Sequence, residues 1–559
     1  MRKSLSKLIP LWIALLPAVF ILASCGRSPN NYGGTTGKTP SDSRAVSTTT
    51  PGSATEPVTL QFYLPPAQAP KDMDSVLAEF EKQTRDTLNT KLVFNYLDWG
   101  DLGPKVTMML AAGEQVDSVF AAQWTTPSIQ QYVSTGFFKN LDPYFLNDRY
   151  PGLKQAFSKQ LMDYNAWTDA QGENHYYSIP FIHTWAHADN IIYRQDLADK
   201  YGIGVIDSWD RMEAYWDEIV KNEQGMTPFA WTGSINNLAD WYMQKWEVPF
   251  SQKHNFDLAN GIVIKDDGTV YKSKTIVAGL DPEFASALPS PLNTRDWYAG
   301  YAKVREWYTK GYLNKDILSE TDGRLPFNAG KAASACTSLD TYNADKTALE
   351  SGVPGARLGY FIPIKAYREK VPGNVSTGFR AWNFACIPVS SKYADRTMNF
   401  FNWLFSSKKN HDLFELGIEG KHWEAVGDNQ FRLPDGIDAA GNYNFGGFQL
   451  TWSTSMMRFS ADVPEDILTV NKLASDPDFF YKDILAGFSF VTTDEIKAEQ
   501  ARINNLASLL LAPGCGVVAD YRQAVADIQK QYEQAGKAKY DAEWVKQLTE
   551  FYRKNPYQR

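Results

Sequence analysis

The residues best suited to binding chemistry are tryptophans at the ends of predicted β-strands, with polar side chains beside them. These residues are Asp98 and Trp99, Gln123 and Trp124, and Trp231. A tryptophan offers a flat apolar face, while carboxylate and amide groups can hydrogen-bond to neighbouring hydroxyls. This combination suits sugar rings, which carry apolar C–H patches as well as hydroxyls. The alternative for Trp124 is packing within the protein, and for Trp99 it is a turn that starts a helix.

The composition supports an aromatic-rich globular body and argues against binding of nucleic acid. Aromatic residues make up 14% of the 559 residues, and 17 of them are tryptophan. The chain has 56 basic and 64 acidic residues, so its formal net charge is −8. A nucleic-acid-binding surface or a polybasic membrane patch would need an excess of basic residues. No nucleic-acid partner is therefore expected.

Strands and helices alternate at the start of the predicted body. The segments Val58 to Leu64, Lys91 to Leu97 and Val116 to Ala121 are predicted strands, and a helix is predicted in each interval between them. This order is typical of an α/β fold with a mainly parallel sheet flanked by helices. Ligands of such sheets bind at the carboxyl ends of the strands. Asp98, Trp99, Gln123 and Trp124 follow these ends.

The alternating pattern starts again after Pro180, and the chain is nearly all helical from Thr493 onward. A body of about 500 residues exceeds what a single hydrophobic core supports. The length therefore predicts two or three units, with a second α/β region after Pro180 and a helical region from Thr493.

The N-terminal segment predicts export and lipid attachment. Arg2 and Lys3 precede an apolar run from Leu8 to Ala23, which is shorter than a membrane span. The sequence that follows, Ser24-Cys25-Gly26, resembles a bacterial lipobox, in which the cysteine thiol is lipidated. We expect a signal peptide over residues 1–24, lipidation of Cys25 and a flexible tether over residues 25–57. The alternative is an ordinary signal peptide with an incidental cysteine.

No motif indicates catalysis, a metal site or a cofactor. The chain lacks the HExxH motif and the Gly-x-Ser-x-Gly motif, and no pair of carboxylates stands in a glycosidase-like motif. Cys336, Cys386 and Cys515 are predicted to be free thiols, although one bridge between the first two is an alternative. We therefore expect a binding protein that is not an enzyme.

Several segments in a fixed order carry a family resemblance. They are LAAGEQVDSVFA, GFFKNLDPYF, NIIYRQDLADKYGI, YTKGYLNKDI, FNAGKAA and FFNWLFSSKKNHDLFELGIEG. In this order and spacing the chain resembles the carbohydrate-type extracellular solute-binding lipoproteins of bacterial ABC importers. Its tail, GFSFVTTDEIKAEQARINNL, is similar to a Gram-positive subfamily with a C-terminal domain of unknown function.

The resemblance implies a type II periplasmic-binding-protein-like fold with two lobes. Lobe 1 would comprise residues 58–182 and 380–447, and lobe 2 residues 183–379. Residues 448–559 would form a mainly helical region that braces both lobes. The ligand would bind between the lobes, and hinge closure would trap it.

The resemblance also implies further ligand-binding residues. Trp185 lies where the first crossover between the lobes is expected, and Arg380 and Trp382 lie at the second. Asp340 and Tyr342 occupy a loop that often faces the ligand in this family. Arg380 could clamp a hydroxyl or a carboxylate, which would suit an acidic sugar, or it could pair with an acid across the hinge.

The expected function is capture of an extracellular carbohydrate, such as a di- or oligosaccharide, and its delivery to the permease subunits of an ABC transporter. The expected form is a monomer that a lipid anchors to the outer face of the cell membrane. The alternatives are a secreted glycan-active enzyme and a glycan-binding adhesin.

Overall fold

A computed structural model describes residues 56–555, apart from residues 67, 124, 126, 187, 246–253 and 438–440. The predicted signal peptide, Cys25, nearly all of the predicted tether and Trp124 lie outside the described residues. Within this part of the chain, no helix has the length and apolar character needed to cross a membrane.

The strands, in chain order, are β1 (Val58–Leu64), β2 (Thr90–Tyr96), β3 (Ser118–Ala122), β4 (Trp167–Thr168), β5 (Asn174–His175), β6 (Ile179–Phe181), β7 (Asp189–Arg194), β8 (Phe256–Asp257), β9 (Ile262–Ile264), β10 (Val270–Lys272), β11 (Ser334–Ser338), β12 (Leu358–Phe361), β13 (Ser376–Thr377), β14 (Asn383–Cys386), β15 (Glu424–Val426), β16 (Gln430–Arg432), β17 (Phe459–Ser460) and β18 (Tyr481–Lys482).

The α-helices are α1 (Met73–Thr84), α2 (Trp99–Ala112), α3 (Ile129–Ser134), α4 (Asp142–Phe145), α5 (Pro151–Ala156), α6 (Lys159–Tyr164), α7 (Gln195–Lys200), α8 (Trp209–Asn222), α9 (Leu238–Lys245), α10 (Pro282–Ala287), α11 (Ala299–Lys310), α12 (Arg324–Asn328), α13 (Tyr342–Gly352), α14 (Lys365–Glu369), α15 (Ala394–Leu404), α16 (Lys408–Glu415), α17 (Glu465–Ser475), α18 (Lys497–Leu506), α19 (Leu511–Gly514), α20 (Tyr521–Gln534) and α21 (Lys537–Lys554).

The first sheet has five strands in the order β2-β1-β3-β14-β6. Strand β1 pairs in parallel with β2 and β3, whereas β14 is antiparallel to both β3 and β6. Strands β2, β1, β3 and β6 therefore all point the same way, and their carboxyl ends meet at one edge. After β6 the chain leaves this sheet and returns to it more than 200 residues later, because β14 begins at Asn383.

Hydrophobic clusters cover both faces of the first sheet. Successive residues of β14 point to opposite faces, as in any strand. Phe384 and Cys386 join one cluster with Leu64 and Phe120, while Ala385 joins the other. The cluster with Leu64 and Phe120 also contains part of α17, which ties the C-terminal region to this side of the sheet.

The second sheet has the order β11-β7-β12 and its own core. Strand β7 is antiparallel to both of its neighbours, so the expected mainly parallel pairing is wrong for these three strands. Their antiparallel order places the carboxyl end of β11 beside the first residue of β7, since Ser338 pairs with Asp189. Trp216 and Trp307 are fully buried in the core of this sheet.

Two segments connect the sheets. Residues 182–188 lead from β6 to β7, and residues 362–382 lead from β12 back to β14. The two segments are joined by a hydrogen bond from the Thr377 hydroxyl to the carbonyl oxygen of Trp185, with a length of 2.8 Å. Cys336, Cys386 and Cys515 are free thiols, as predicted.

The cluster that contains Ala385 on one face of the first sheet packs around Phe400. The Phe400 ring centroid lies 5.6 Å from that of Phe62, 5.5 Å from that of Phe80 and 5.6 Å from that of Phe414. We expect Phe400→Ala to lower the free energy of unfolding by about 3–5 kcal/mol, since it leaves a cavity among these rings. Chemical denaturation measures this change. Leu146→Ala is the control, because Leu146 is 59% exposed. Equal losses in the two variants would contradict the described packing.

Candidate ligand-binding site

The carboxyl edge of the first sheet gathers several of the predicted binding residues. Asn383, the first residue of β14, pairs with Ala122 at the end of β3 and with Phe181 at the end of β6. The residues just before β14 therefore lie beside those that follow β3 and β6. In α/β sheets this edge is the usual place for a ligand.

Gln123 and Trp382 both lie at this edge. The side-chain amide of Gln123 donates to the carbonyl oxygen of Ala381 over 3.1 Å, and Trp382 is 54% exposed. Asp98 is exposed and directly precedes α2, so DWGD starts a helix as well as following a strand. Trp99, the first residue of this helix, is 43% exposed.

Four rings form a continuous track from this edge, and we call Trp99, Phe448, Trp452 and His183 the aromatic shelf. Trp99 is exposed and Phe448 and Trp452 are half-buried, whereas His183 is the buried end of the track. Trp99 stacks on Phe448 with 5.9 Å between ring centroids, and Phe448 lies 5.9 Å from Trp452. Trp452 in turn lies 3.7 Å from the imidazole of His183. The backbone N–H of Ile182 fixes the shelf to the end of β6, because it donates to the Trp452 carbonyl oxygen over 3.0 Å.

The aromatic shelf ends against the second sheet. Nε2 of His183 lies 2.9 Å from Oδ2 of Asp340, which occupies the loop after β11. The side chain of Asp340 is 27% exposed, so one carboxylate from the second sheet can reach a ligand on the shelf. The site is thus built by both sheets and by the segment that connects them.

A glycine and an acid lie behind the shelf. A β-carbon on Gly447 would lie 2.3 Å from Cδ1 of Trp452 and 2.4 Å from Oε2 of Glu415. No other residue type would leave room for both groups at this position. The Thr451 hydroxyl donates to the carboxylate of Glu415, and burial raises the pKa of this carboxyl.

Three of the predicted binding residues are buried and pack within the protein. Trp185 is 9% exposed, and its indole N–H donates to the Ser475 carbonyl oxygen over 2.9 Å. Trp231 is 3% exposed in the core of the second sheet. Tyr342 is 7% exposed and packs edge-to-face on Tyr360. The expectation that their rings face a ligand does not fit this structure.

The side chain of Arg380 also makes its hydrogen bonds within the protein. In this structure it is therefore not available to bind a hydroxyl or carboxylate of a ligand. Its Nε donates to the carbonyl oxygen of Tyr164 over 3.1 Å and its Nη2 to that of Ala166 over 2.9 Å. Its Nη1 donates to the Ser489 hydroxyl over 2.6 Å, and the guanidinium stacks over Trp167. Burial lowers the pKa of Arg380 to about 10. Arg380 thus holds the second connecting segment against the loop that follows α6.

Sequence reasoning missed Phe448 and Trp452, because both lie in the region assigned to bracing. The stretch Gly446-Gly447-Phe448 could have served as a signal, since paired glycines allow close approach of a backbone to other groups. His183 lies two residues before the predicted residue Trp185, but only the structure shows that it contacts Trp452.

Comparison with known proteins identifies relatives along most of the chain. The family described as bacterial extracellular solute-binding protein matches residues 75–418, more than half of the sequence. A carbohydrate ABC transporter substrate-binding protein of Streptococcus pneumoniae serotype 4 (strain ATCC BAA-334 / TIGR4) is 23% identical over 500 residues, covering 86% of this chain and 89% of that protein.

Solved structures share the fold. The N-glycan transport solute binding protein NgtS from Streptococcus pneumoniae superposes with a TM-score of 0.63 at 20% identity, covering 89% of this chain and 99% of NgtS. Its complex with Man5GlcNAc gives a TM-score of 0.57 at 22% identity and covers 90% of this chain and 100% of NgtS. The expected type II solute-binding fold is confirmed.

The contacts of Arg380 predict a structural role. Arg380→Gln leaves the carbonyl oxygens of Tyr164 and Ala166 without their donors. We expect this variant to lose about 3 kcal/mol of unfolding free energy, the typical cost of breaking charged hydrogen bonds and leaving acceptors unpaired. Thermal and chemical denaturation measure the loss. Arg553→Gln is the matched control, because the side chain of Arg553 is 71% exposed. An Arg380→Gln protein as stable as this control would contradict the structural role.

Proposed function

The chain belongs to the bacterial extracellular solute-binding protein family, and on this premise we propose that it captures an extracellular carbohydrate and delivers it to the permease of an ABC importer. The family is one of transport receptors and not of enzymes. We propose accordingly that this chain binds its ligand without chemical change.

The observation that carries the proposal is the aromatic shelf at the carboxyl edge of the first sheet. Trp99 and Trp382 expose large flat faces there, and Gln123, Asp98 and Asp340 supply polar groups around them. Apolar faces bind the C–H side of a sugar ring, and the polar groups accept or donate hydrogen bonds at its rim. The length of the shelf favours an oligosaccharide over a single sugar.

The relatives support the same class of ligand. The pneumococcal relative is named for carbohydrate transport, and NgtS has been solved with a bound glycan. Both matches extend over nearly the whole length of those proteins. The proposed delivery to an ABC transporter rests on these relatives.

We propose the two-lobe division predicted from the sequence, with residues 58–182 and 380–447 as lobe 1 and residues 183–379 as lobe 2. Strand β14 belongs to the first sheet although its residues come after the second sheet, which supports the discontinuous first lobe. The connecting segments 182–188 and 362–382 would then carry the hinge. Binding on the shelf would favour the closed state, because Asp340 approaches it from the second lobe.

The proposed place of action is the outer face of the cell membrane. A diacylglycerol group on Cys25 would anchor the protein, and residues 25–57 would hold the body away from the lipid surface. The Gly-, Ser- and Thr-rich sequence of this segment supports the role of tether. The protein would act as a monomer.

The Trp452→Ala variant, which removes an indole of the aromatic shelf, tests the proposal. Wild-type protein is screened by thermal shift against neutral oligosaccharides, and a ligand at 100 times its Kd should stabilise it by about 2.7 kcal/mol. Calorimetric titration of the best ligand should then show affinity at least about tenfold weaker for Trp452→Ala, since burial of the indole face is lost. Tyr393→Ala is the control, because Tyr393 is 38% exposed and follows the opposite end of β14.

Two results would contradict the proposal. One is the absence of stabilisation by any glycan combined with stabilisation by peptides or metal ions. The other is equal affinity of wild type and Trp452→Ala for the glycan that binds.

A further inference from the structure

We propose that the site binds uncharged glycans and rejects glycans that carry carboxylate or sulfate groups. This inference rests on the proposed function and adds the charge class of the ligand. It depends on which charged side chains surround the aromatic shelf and on which of them already have partners.

Carboxylates approach the aromatic shelf from three elements. Asp340 reaches it from the loop after β11, where its Oδ2 lies 2.9 Å from the His183 ring. Glu415, the last residue of α16, holds Oε2 close to the indole of Trp452, because the β-carbon position of Gly447 lies 2.4 Å from that oxygen and 2.5 Å from Nε1 of the indole. Asp98 is exposed beside Trp99. An anionic group on the shelf would therefore meet the negative charges of Asp340 and Asp98, while Glu415, whose pKa is raised by burial, lies behind the shelf.

The amino terminus of α2 also points to this site, and a helix amino terminus normally attracts anions. Here two acidic residues already occupy that position. Asp98 is the N-cap residue and Asp101 lies in the first turn of the helix. Their negative charges oppose the positive end of the helix and reduce its attraction for an anionic ligand, although Asp98 makes no capping hydrogen bond and Asp101 also pairs with Lys105 at 2.8 Å.

Two arginines add little net positive charge to the site, because Arg380 is hydrogen-bonded within the protein and Arg324 lies among carboxylates. Arg380 donates hydrogen bonds to the Tyr164 and Ala166 carbonyl oxygens and to the Ser489 hydroxyl. Arg324, whose pKa is raised mainly by its hydrogen bonds to Asp322 and also by the charge of Asp340, forms a bidentate pair with Asp322 at 3.1 and 3.0 Å.

The second carboxylate beside Arg324 strengthens this point. Oδ1 of Asp345 lies 4.0 Å from Nη1 of Arg324, and Asp345 is 3% exposed. Arg324 is thus opposed by two carboxylates before any ligand arrives. The positive charge of Arg324 is therefore balanced by carboxylates of the protein itself.

Neutral sugars suit the same carboxylates. A hydroxyl can donate to an ionised carboxylate, and such charge-assisted hydrogen bonds are stronger than neutral ones. A ligand carboxylate at this place has no proton to donate and meets like charge. Repulsion between like charges a few ångströms apart at a protein surface weakens binding by about tenfold or more.

The test compares two glycans of equal length on the intact wild-type chain by calorimetric titration. One is a neutral oligosaccharide that binds in the thermal-shift screen, and the other differs only by a terminal uronic acid in place of the corresponding neutral sugar. Titration at pH 8 and low salt keeps ordinary imidazoles neutral and leaves charge effects unscreened. We expect the uronate-bearing glycan to bind at least about tenfold more weakly.

The outcomes separate this inference from the proposed function. Equal or tighter binding of the uronate-bearing glycan would overturn the charge selectivity and leave carbohydrate binding intact. Failure of every glycan to bind would overturn the proposed function and this inference with it.

The Asp340→Asn variant tests whether Asp340 causes the selectivity against charged glycans. Asp340→Asn removes one negative charge and keeps an oxygen that can pair with His183. It should narrow the affinity difference between the two glycans about threefold or more, because one like charge is gone. Asp267→Asn is the matched control, since this exposed residue lies in the β9–β10 turn and carries the same charge change. An unchanged difference in Asp340→Asn, with a folded protein by circular dichroism, would overturn the role of Asp340.

Discussion

The insertion of β14 between β3 and β6 is the constraint on which the site depends. Because β14 is antiparallel to both neighbours, it enters the first sheet at the edge where the other strands end. This pairing brings the segment before Asn383 next to the residues that follow Ala122 and Phe181. Without it, Trp382, Gln123 and His183 would have no reason to share one edge, since more than 200 residues separate Trp382 from Gln123 in the chain.

The aromatic shelf shows how the C-terminal region completes what the sheet begins. Residues 447–452 run across the carboxyl edge, and the Ile182–Trp452 hydrogen bond of 3.0 Å fixes their position. Gly447 allows the indole of Trp452 and the carboxylate of Glu415 to approach the same point. The shelf then continues through His183 to Asp340, so a ligand lying on it would contact groups supplied by both sheets.

Much of the fold could be predicted from hydrophobic periodicity. The strand predicted over Val58 to Leu64 has those bounds in the structure, β2 and β3 lie within a few residues of their predicted positions, and α1 and α2 occupy the predicted intervals. These elements bury one face or stripe locally, so their sequence pattern carries the information. Strand direction in the second sheet could not be predicted in the same way, since it depends on how distant segments pair.

The binding residues were harder to predict, because a tryptophan in a loop and one in a core have the same chemistry. Trp231 was predicted to follow a strand and Trp382 precedes β14, yet the first is 3% exposed and the second 54% exposed. Arg380 could pair with a ligand or with backbone carbonyl oxygens, and only its three donor contacts decide between these roles. Trp452 lay far from any predicted strand end. Its role follows from tertiary contacts that no local pattern encodes.

The central claim is that the aromatic shelf is the surface that holds the ligand. A crystal structure of the protein with a bound neutral oligosaccharide tests it most directly. The account predicts sugar rings in van der Waals contact with Trp452 and with Trp99 or Trp382, and a hydroxyl hydrogen-bonded to Asp340. An ordered oligosaccharide bound elsewhere, with no contact to these rings, would contradict the claim.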